Sequence, residues 1–394
     1  MMSGTPEGIE TEHVASRLRA AREVAGKTQQ EAADRIGASR TTVVAIEKGE
    51  RPIRSGELVS LAEYFGKSVN ELLRPNPMTE DFVAEFRSSA DREMADSEVL
   101  EAVSRLQDLA DDYVELERIV GASLPQQYPA ARPQVTIKPA AAGEALAAAE
   151  RNRLGLGDGP LLGLRQLLES DVGIRVFGLK LPSRVAGLFI GSTAYGGCIA
   201  FNIGHPFERQ RWTISHEYGH FLSQRTGTEV TLGPGSYERA PARERFADAF
   251  AENFLMPASG IMRRFHEIAL SRPAGPTPAD LVHLADRYQV GVKTMTLRLE
   301  NLALARSHTW DRLEGEGFKV REARSLLSVE EHRPDREMLP FRYRSLAVEA
   351  YFAGDLSEGQ LARTLRVDRV RARQLVARLV GEDGSNEDAT NEAK

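Results

Sequence analysis

Cysteine is nearly absent from the 394-residue chain. Its single thiol, Cys198, excludes an intrachain disulfide framework and the small secreted scaffolds that depend on one. No apolar run approaches the ~18 residues of a membrane span, so no membrane partner is expected. The first residues, MMSGTPEGIETEH, lack a basic stretch followed by an apolar one, and no signal peptide is predicted. An overall basic excess is also missing. Fifty-one Lys and Arg stand against 57 Asp and Glu, a net charge of −6. That excludes nucleic-acid binding through the whole surface and leaves room for a local basic module. The expected setting is cytoplasmic, with any association with the nucleoid coming from such a module. The apolar share of 41% and charged share of 27% are ordinary for a globular protein. The length suggests roughly two to four domains.

Composition divides the chain. Residues 1–13 read as a flexible leader. Residues 14–74 form short amphipathic helices, with eleven basic against eight acidic side chains. Residues 75–124 reverse the sign, four against thirteen, and read as an acidic helical connector. Its apolar repeat is Val99, Val103, Leu106, Leu109, Val114, Leu116 and Ile119. Residues 125–142 are proline-rich and predict a loose linker. Residues 143–270 mix helical patterns with short β-rich runs, GIRVFGL, AGLFIG and GCIAFNIG. Residues 271–380 read as all helix, and 381–394 as an acidic disordered tail. The expected fold is multidomain: an all-α N-terminal domain, an α+β domain with a small sheet, and an all-α C-terminal region.

TQQEAADRI and SRTTVVAIE, joined through Gly37 and Ala38, give two short helices opened by Thr28 and Ser39. With the amphipathic helix before them they predict a helix-turn-helix. Its second helix would enter a DNA major groove N-terminus first, presenting Ser39, Arg40, Thr41 and Thr42 to base edges. Gln29, Lys48 and Arg51 are placed to hold phosphates. Leu18-Arg19, Thr28-Gln29, Ala32-Ala33, Ser39 to Ile46, Glu47 to Pro52 and Leu61 to Phe65 together resemble the XRE, or lambda-repressor-like, family. That resemblance implies double-stranded operator DNA as a partner and a homodimer on a pseudo-palindrome.

His216-Glu217-Tyr218-Gly219-His220 is an H-E-x-x-H motif. On a helix, positions i and i+4 share a face, so both imidazoles can reach one Zn²⁺. Glu217 is then the candidate general base, taking a proton from water and passing it to a leaving amine. A third ligand is expected from the helix carrying Glu244, Asp248 and Glu252. Glu244 is the candidate, with Asp248 accepting from a ligand histidine. Glu252 is a rival. Asn202, Arg209 to Trp212, Ile214 to His220 and the Glu244 to Pro257 block resemble the ImmA/IrrE metallopeptidases. The resemblance implies a zincin-like, zinc-dependent endopeptidase, with Mn²⁺ a second candidate metal. His216, His220 and Glu244 would be its ligands and Glu217 its base.

Joined to an XRE module, such a peptidase resembles regulators that cleave an XRE-type repressor. A stress or DNA-damage-type signal would relieve repression at stress, mobile-element or phage-defence genes. The peptide substrate would be the chain's own linker or a partner repressor. The alternative is a transcription factor with a non-proteolytic metal domain that senses a ligand of the acyl-CoA type. Tyr195, His205 and Tyr237 are considered as oxyanion stabilisers. Cys198, close in sequence to the motif, is considered as a thiol switch on the metal. Two C-terminal stretches also scan like helix-turn-helix units. Asp280–Leu302 is read as packing. Leu356–Leu379 carries Arg363, Arg366, Arg369, Arg371, Arg373 and Arg378, a place where single-stranded DNA could dock as an activator.

Overall fold

The computed structural model describes residues 11–67, 69–73, 97–130, 138–192, 195–232, 241–272 and 275–380. The chain divides into two compact units between Gln107 and Asp108. Among the described residues no helix is long and apolar enough to cross a membrane.

In the first unit α1 (Thr11–Val24), α2 (Gln29–Arg35), α3 (Arg40–Glu47), α4 (Ser55–Phe65) and α5 (Val69–Leu73) surround one apolar core. Local chemistry sets the boundaries. The Thr28 side chain accepts from the Glu31 amide while the Glu31 carboxylate accepts from the Thr28 amide, satisfying two orphan donors at the start of α2. Gly37 then takes a left-handed φ of 64°, which a side chain would oppose. Ser39 caps α3 by accepting from Thr42. Leu18, Ala32, Ala33, Val43, Ile46 and Leu61 meet in the core.

Helix α6 (Ser97–Val120) starts in the first unit and ends in the second. Val99, Val103, Leu106, Leu109 and Leu116 are buried, in step with the sequence repeat. Val114 and Ile119 are not; Asp112, Tyr113 and Glu117 are buried in their place. The expected acidic helical connector is therefore, from Asp108 onward, part of the core of the second unit.

That unit is built on a four-stranded sheet of β1 (Arg175–Leu179), β2 (Val185–Ser192), β3 (Gly196–Asn202) and β4 (Gly227–Leu232), in the order β1-β3-β2-β4. β1 runs parallel to β3, and β2 is antiparallel to both its neighbours. Every residue of β1, β2 and β3 is buried, because both faces are covered. Val176, Phe189, Ile199 and Phe201 share a core with Tyr218 and Phe221 of α9 (Phe207–Ser223). Behind α9 lie α7 (Pro139–Arg153) and, after the short α8 (Leu164–Leu167) and the sheet, α10 (Ala242–Leu255). On the opposite face Phe177 meets Tyr113 of α6 and Tyr343 of α16 (Phe341–Phe352) edge-on.

The remaining helices are α11 (Ala258–Ser271), α12 (Pro278–Tyr288), α13 (Val292–Asn301), α14 (Thr309–Gly315), α15 (Val320–Leu326), α17 (Glu358–Thr364) and α18 (Arg369–Val380). Leu281, Val282, Leu284, Met295 and Leu299 of α12 and α13 join the core that holds α9, so Asp280–Leu302 packs as expected.

The proline-rich stretch departs from a loose linker at both described ends. Tyr128 packs edge-on to Phe221 at 4.7 Å and donates to the Gly173 carbonyl at 2.7 Å. Arg225 stacks on Phe221 and donates to the Pro129 carbonyl. Helix α7 already begins at Pro139, since proline is well suited to the first helical turn. An aromatic anchor and a helix start, both inside the expected linker, account for the difference.

Candidate functional site

The site is assembled by two helices that can approach because one carries glycine at the contact. A Cβ at Gly219, inside the H-E-x-x-H run of α9, would lie 3.1–3.3 Å from Phe250 and Ala247 of α10. A Cβ at Gly143 of α7 would run into the backbone of Phe246 and Phe250 on another side of α10. α10 is thereby held at close range, and its first turn presents Glu244 to the two histidines.

His216 Nε2 and His220 Nε2 lie 3.0 Å apart. Glu244 Oε2 is 3.3 Å from the first and Glu244 Oε1 3.5 Å from the second. Tetrahedral zinc with bonds of about 2.05 Å has ligand-to-ligand edges of about 3.3 Å, so these spacings fit the faces of such a site. Two imidazole nitrogens and a carboxylate oxygen are also a donor set zinc accepts. Among the described residues these three form the group able to hold a metal ion. His216 Nδ1 is 2.9 Å from Asp248 Oδ1, which fixes the tautomer and turns Nε2 toward the other two ligands. Burial would lower the His216 pKa, but the hydrogen bonds to Asp248 and Glu244 outweigh it and raise it to about 10. Burial likewise opposes ionisation of Glu244, yet contacts with His216 and His220 hold its carboxyl well below the usual range. The pocket thus favours positive charge at the point where the three side chains converge.

Glu217 is fully buried, and neither of its oxygens has a hydrogen-bond partner. Burial pushes its pKa up. Room for the carboxylate comes from Gly187 of β2, where a Cβ would stand 2.9 Å from Oε1. The rival ligand Glu252 is drawn elsewhere: its carboxylate accepts from Arg298 at 3.0 Å and from Asn301.

In the first unit Ser39, Arg40 and Thr41 are exposed and Thr42 half-buried at the start of α3. Ser39 Oγ bonds the hydroxyls of Thr41 and Thr42 at 2.7 and 2.9 Å. Two expected phosphate contacts are instead engaged within the protein. Gln29 donates to Glu47, which also accepts Arg22, and Arg51 makes a two-pronged pair with Glu57.

Comparison with known families divides the chain in the same way. The description "Helix-turn-helix" matches residues 18–72, and "IrrE N-terminal-like domain", a peptidase family, matches residues 169–300. Two segments of the chain are thus similar to known families, the first to helix-turn-helix domains and the second to IrrE-like domains. No curated protein matches it.

Among the described residues, the remaining candidates have partners outside the metal group. Tyr195 donates to Asp111, and its carbonyl accepts from Arg175. His205 Nε2 lies 3.1 Å from the Ser183 carbonyl, and burial lowers its pKa. Tyr237 lies outside the described residues. Cys198 pairs in register with Arg175 on β3, so alternation turns both to the sheet face opposite α9. Buried there, the thiol has its pKa pushed up to about 12. It is not a member of the metal group, which overturns the expectation of a thiol switch on the metal.

Several supporting residues gave little sequence signal. Tyr218, inside the motif, donates to Glu150 of α7. Buried Arg151 donates to the carbonyls of Gly157, Gly159 and Phe254, and Arg211 to those of Leu161 and Gln289. Arginines in helical runs read as solvated; only their targets, distant in sequence, reveal the role.

Proposed function

We propose that the chain is a DNA-binding repressor that carries its own zinc endopeptidase and cleaves itself or a partner XRE repressor when signalled. The observation that supports this best is Glu217: a fully buried carboxylate with no hydrogen bond of ordinary geometry, on the same helix as His216 and His220. A metal with a purely structural role has no use for such a group, and a neutral side chain there would cost less. His216, His220 and Glu244 would hold the metal, zinc by donor set and Mn²⁺ as the second candidate. Bound there, zinc supplies Lewis acidity toward a scissile carbonyl.

The chain's own residues do the rest. Glu217, its proton affinity raised by burial, takes the proton of the attacking water and delivers it to the leaving amine. Asp248 holds His216 in one tautomer. An extended peptide finds backbone partners on the outer edge of β4, which has no neighbour among the described strands. Thr231 of β4 is in register with Gly187, the position that admits Glu217. Cleavage would separate the DNA reader from the rest of its chain, and loss of the paired reader would lower operator affinity. A homodimer on a pseudo-palindromic operator, in the cytoplasm, suits this mode of action.

The test is fragment formation after induction in cells, followed with an N-terminal tag. Wild type should release a fragment containing the helix-turn-helix, or cleave a co-expressed XRE partner. Glu217→Gln should do neither. The same fragments from Glu217→Gln would defeat the proposal.

A further inference from the structure

The turn described for residues 28–43 occurs a second time. Helices α16, α17 and α18 follow one another as α1, α2 and α3 do, and the match extends to individual hydrogen bonds. Helices α2 and α17 are both seven residues long. Ser357 forms the same reciprocal cap with Gln360 that Thr28 forms with Glu31. Leu361 and Ala362 are buried at the positions of Ala32 and Ala33.

At the turn, Arg366 takes a left-handed φ of 56°, as Gly37 does at 64°. The next amide, Val367 or Ala38, donates to the carbonyl of Ala362 or Ala33 at 3.0 and 2.9 Å. Asp368 then accepts from the Arg371 amide, as Ser39 accepts from Thr42. Ala372 is buried at the position of Val43. The two stretches align from Thr28 and Ser357 onward with no insertion. Arg366, a non-glycine residue at the strained position, is held by an ion pair with Asp112 at 2.6 Å.

The surface of this second turn differs from the rest of the chain. Between Glu358 and Val380 six arginines stand against two acids, on a chain of net charge −6. α18 exposes Arg369, Val370, Arg371, Arg373, Gln374 and Arg378. Arg373 is paired with Glu358. Val370 is 62% exposed, an apolar side chain at the start of a basic helix. Arginine matches a guanine edge and an apolar side chain meets a thymine methyl, both in the major groove. Single-stranded nucleic acid is instead held on aromatic platforms, and α18 has no aromatic residue.

We propose that residues 341–380 are a second reader of double-stranded DNA, with α18 as the helix that enters the major groove. This goes beyond the N-terminal reader and does not depend on it. The family match for a helix-turn-helix ends at residue 72.

The test uses the full chain as wild type, Arg40→Ala/Thr41→Ala and Arg369→Ala/Arg371→Ala, with unfolding midpoints measured for each. Preferred sites are selected from a random duplex pool, and affinities are measured by fluorescence anisotropy over a range of salt. Arg369→Ala/Arg371→Ala should bind selected duplexes about tenfold more weakly, with a salt slope lower by about 1–2. It should also lose one sequence element, and Arg40→Ala/Thr41→Ala should lose a different one. Val370→Ala, which removes no charge, should relax one base preference and leave the salt slope unchanged.

Identical selected sites and an identical slope for Arg369→Ala/Arg371→Ala would overturn the proposal. So would wild-type preference for the single strand of the same sequence, lost in that variant. Loss of the first element alone, in Arg40→Ala/Thr41→Ala, bears only on the N-terminal reader.

Discussion

The two faces of the central sheet bury polar groups in opposite ways. On the α9 face two imidazole nitrogens point at each other, and the buried Glu217 carboxylate makes no hydrogen bond of ordinary geometry, with the Thr231 side chain and the two histidines near it. On the other face the buried carboxylates are paired. Glu117 accepts from Arg175 at 2.7 Å and from Arg342 at 3.0 Å, Asp112 from Arg366, and Glu169 from Tyr113 at 2.6 Å. Both faces bear the cost of desolvating charge. At Glu217 and the two histidines that cost is met least within the protein. An unanswered cluster is what the proposed chemistry requires, and an answered one serves architecture.

Four substitutions sharpen this contrast. The largest effect is expected at Glu217. Glu217→Gln should reduce cleavage by about 10³-fold, within the range for loss of a general acid–base group. Its unfolding midpoint should not fall, since a buried carboxylate without partners is replaced by a neutral amide. A large drop in midpoint would place Glu217 among the answered groups.

Glu117→Ala is the converse. It strands Arg175 and Arg342 and should cost about 3–5 kcal/mol of stability in denaturant unfolding. A cost under about 1 kcal/mol would remove the contrast. Next is Asp248→Asn, expected to weaken zinc affinity about 10–100-fold in a competition titration, because the His216 tautomer is no longer enforced. Smallest is Cys198→Ser, which should leave fragment formation unchanged. Its thiol, protonated up to a pH of about 12, should resist alkylation at pH 8 until the chain unfolds. Rapid alkylation of the native protein would contradict the buried placement.

Local patterns in the sequence carried much of this. Thr28 with Glu31, Ser39 with Thr42, and the i, i+4 pairs His216/His220 and Glu244/Asp248 depend on spacing within one helix, which a sequence states directly. What stayed open depended on residues far along the chain. Glu252 stays a rival to Glu244 until Arg298 claims it. Cys198 is near the motif in sequence, yet which strand face meets α9 decides its surroundings. The acids of α6 look solvated until arginines from β1 and the C-terminal helices reach them. Gln29 and Arg51 look free for phosphate until Glu47 and Glu57 are seen beside them. The second helix-turn-helix was legible as a pattern. Its hydrogen-bonded turn and exposed basic face became clear only in three dimensions.

The glycines that flank α10 have one more consequence. Gly143 and Gly219 let two neighbouring helices come as near to α10 as backbones can. At Gly143 the stop is the backbone of Phe246 and Phe250, and at Gly219 it is the Phe250 ring and the Ala247 backbone, so a methyl group at either position would push α10, and Glu244 with it, away from the histidines.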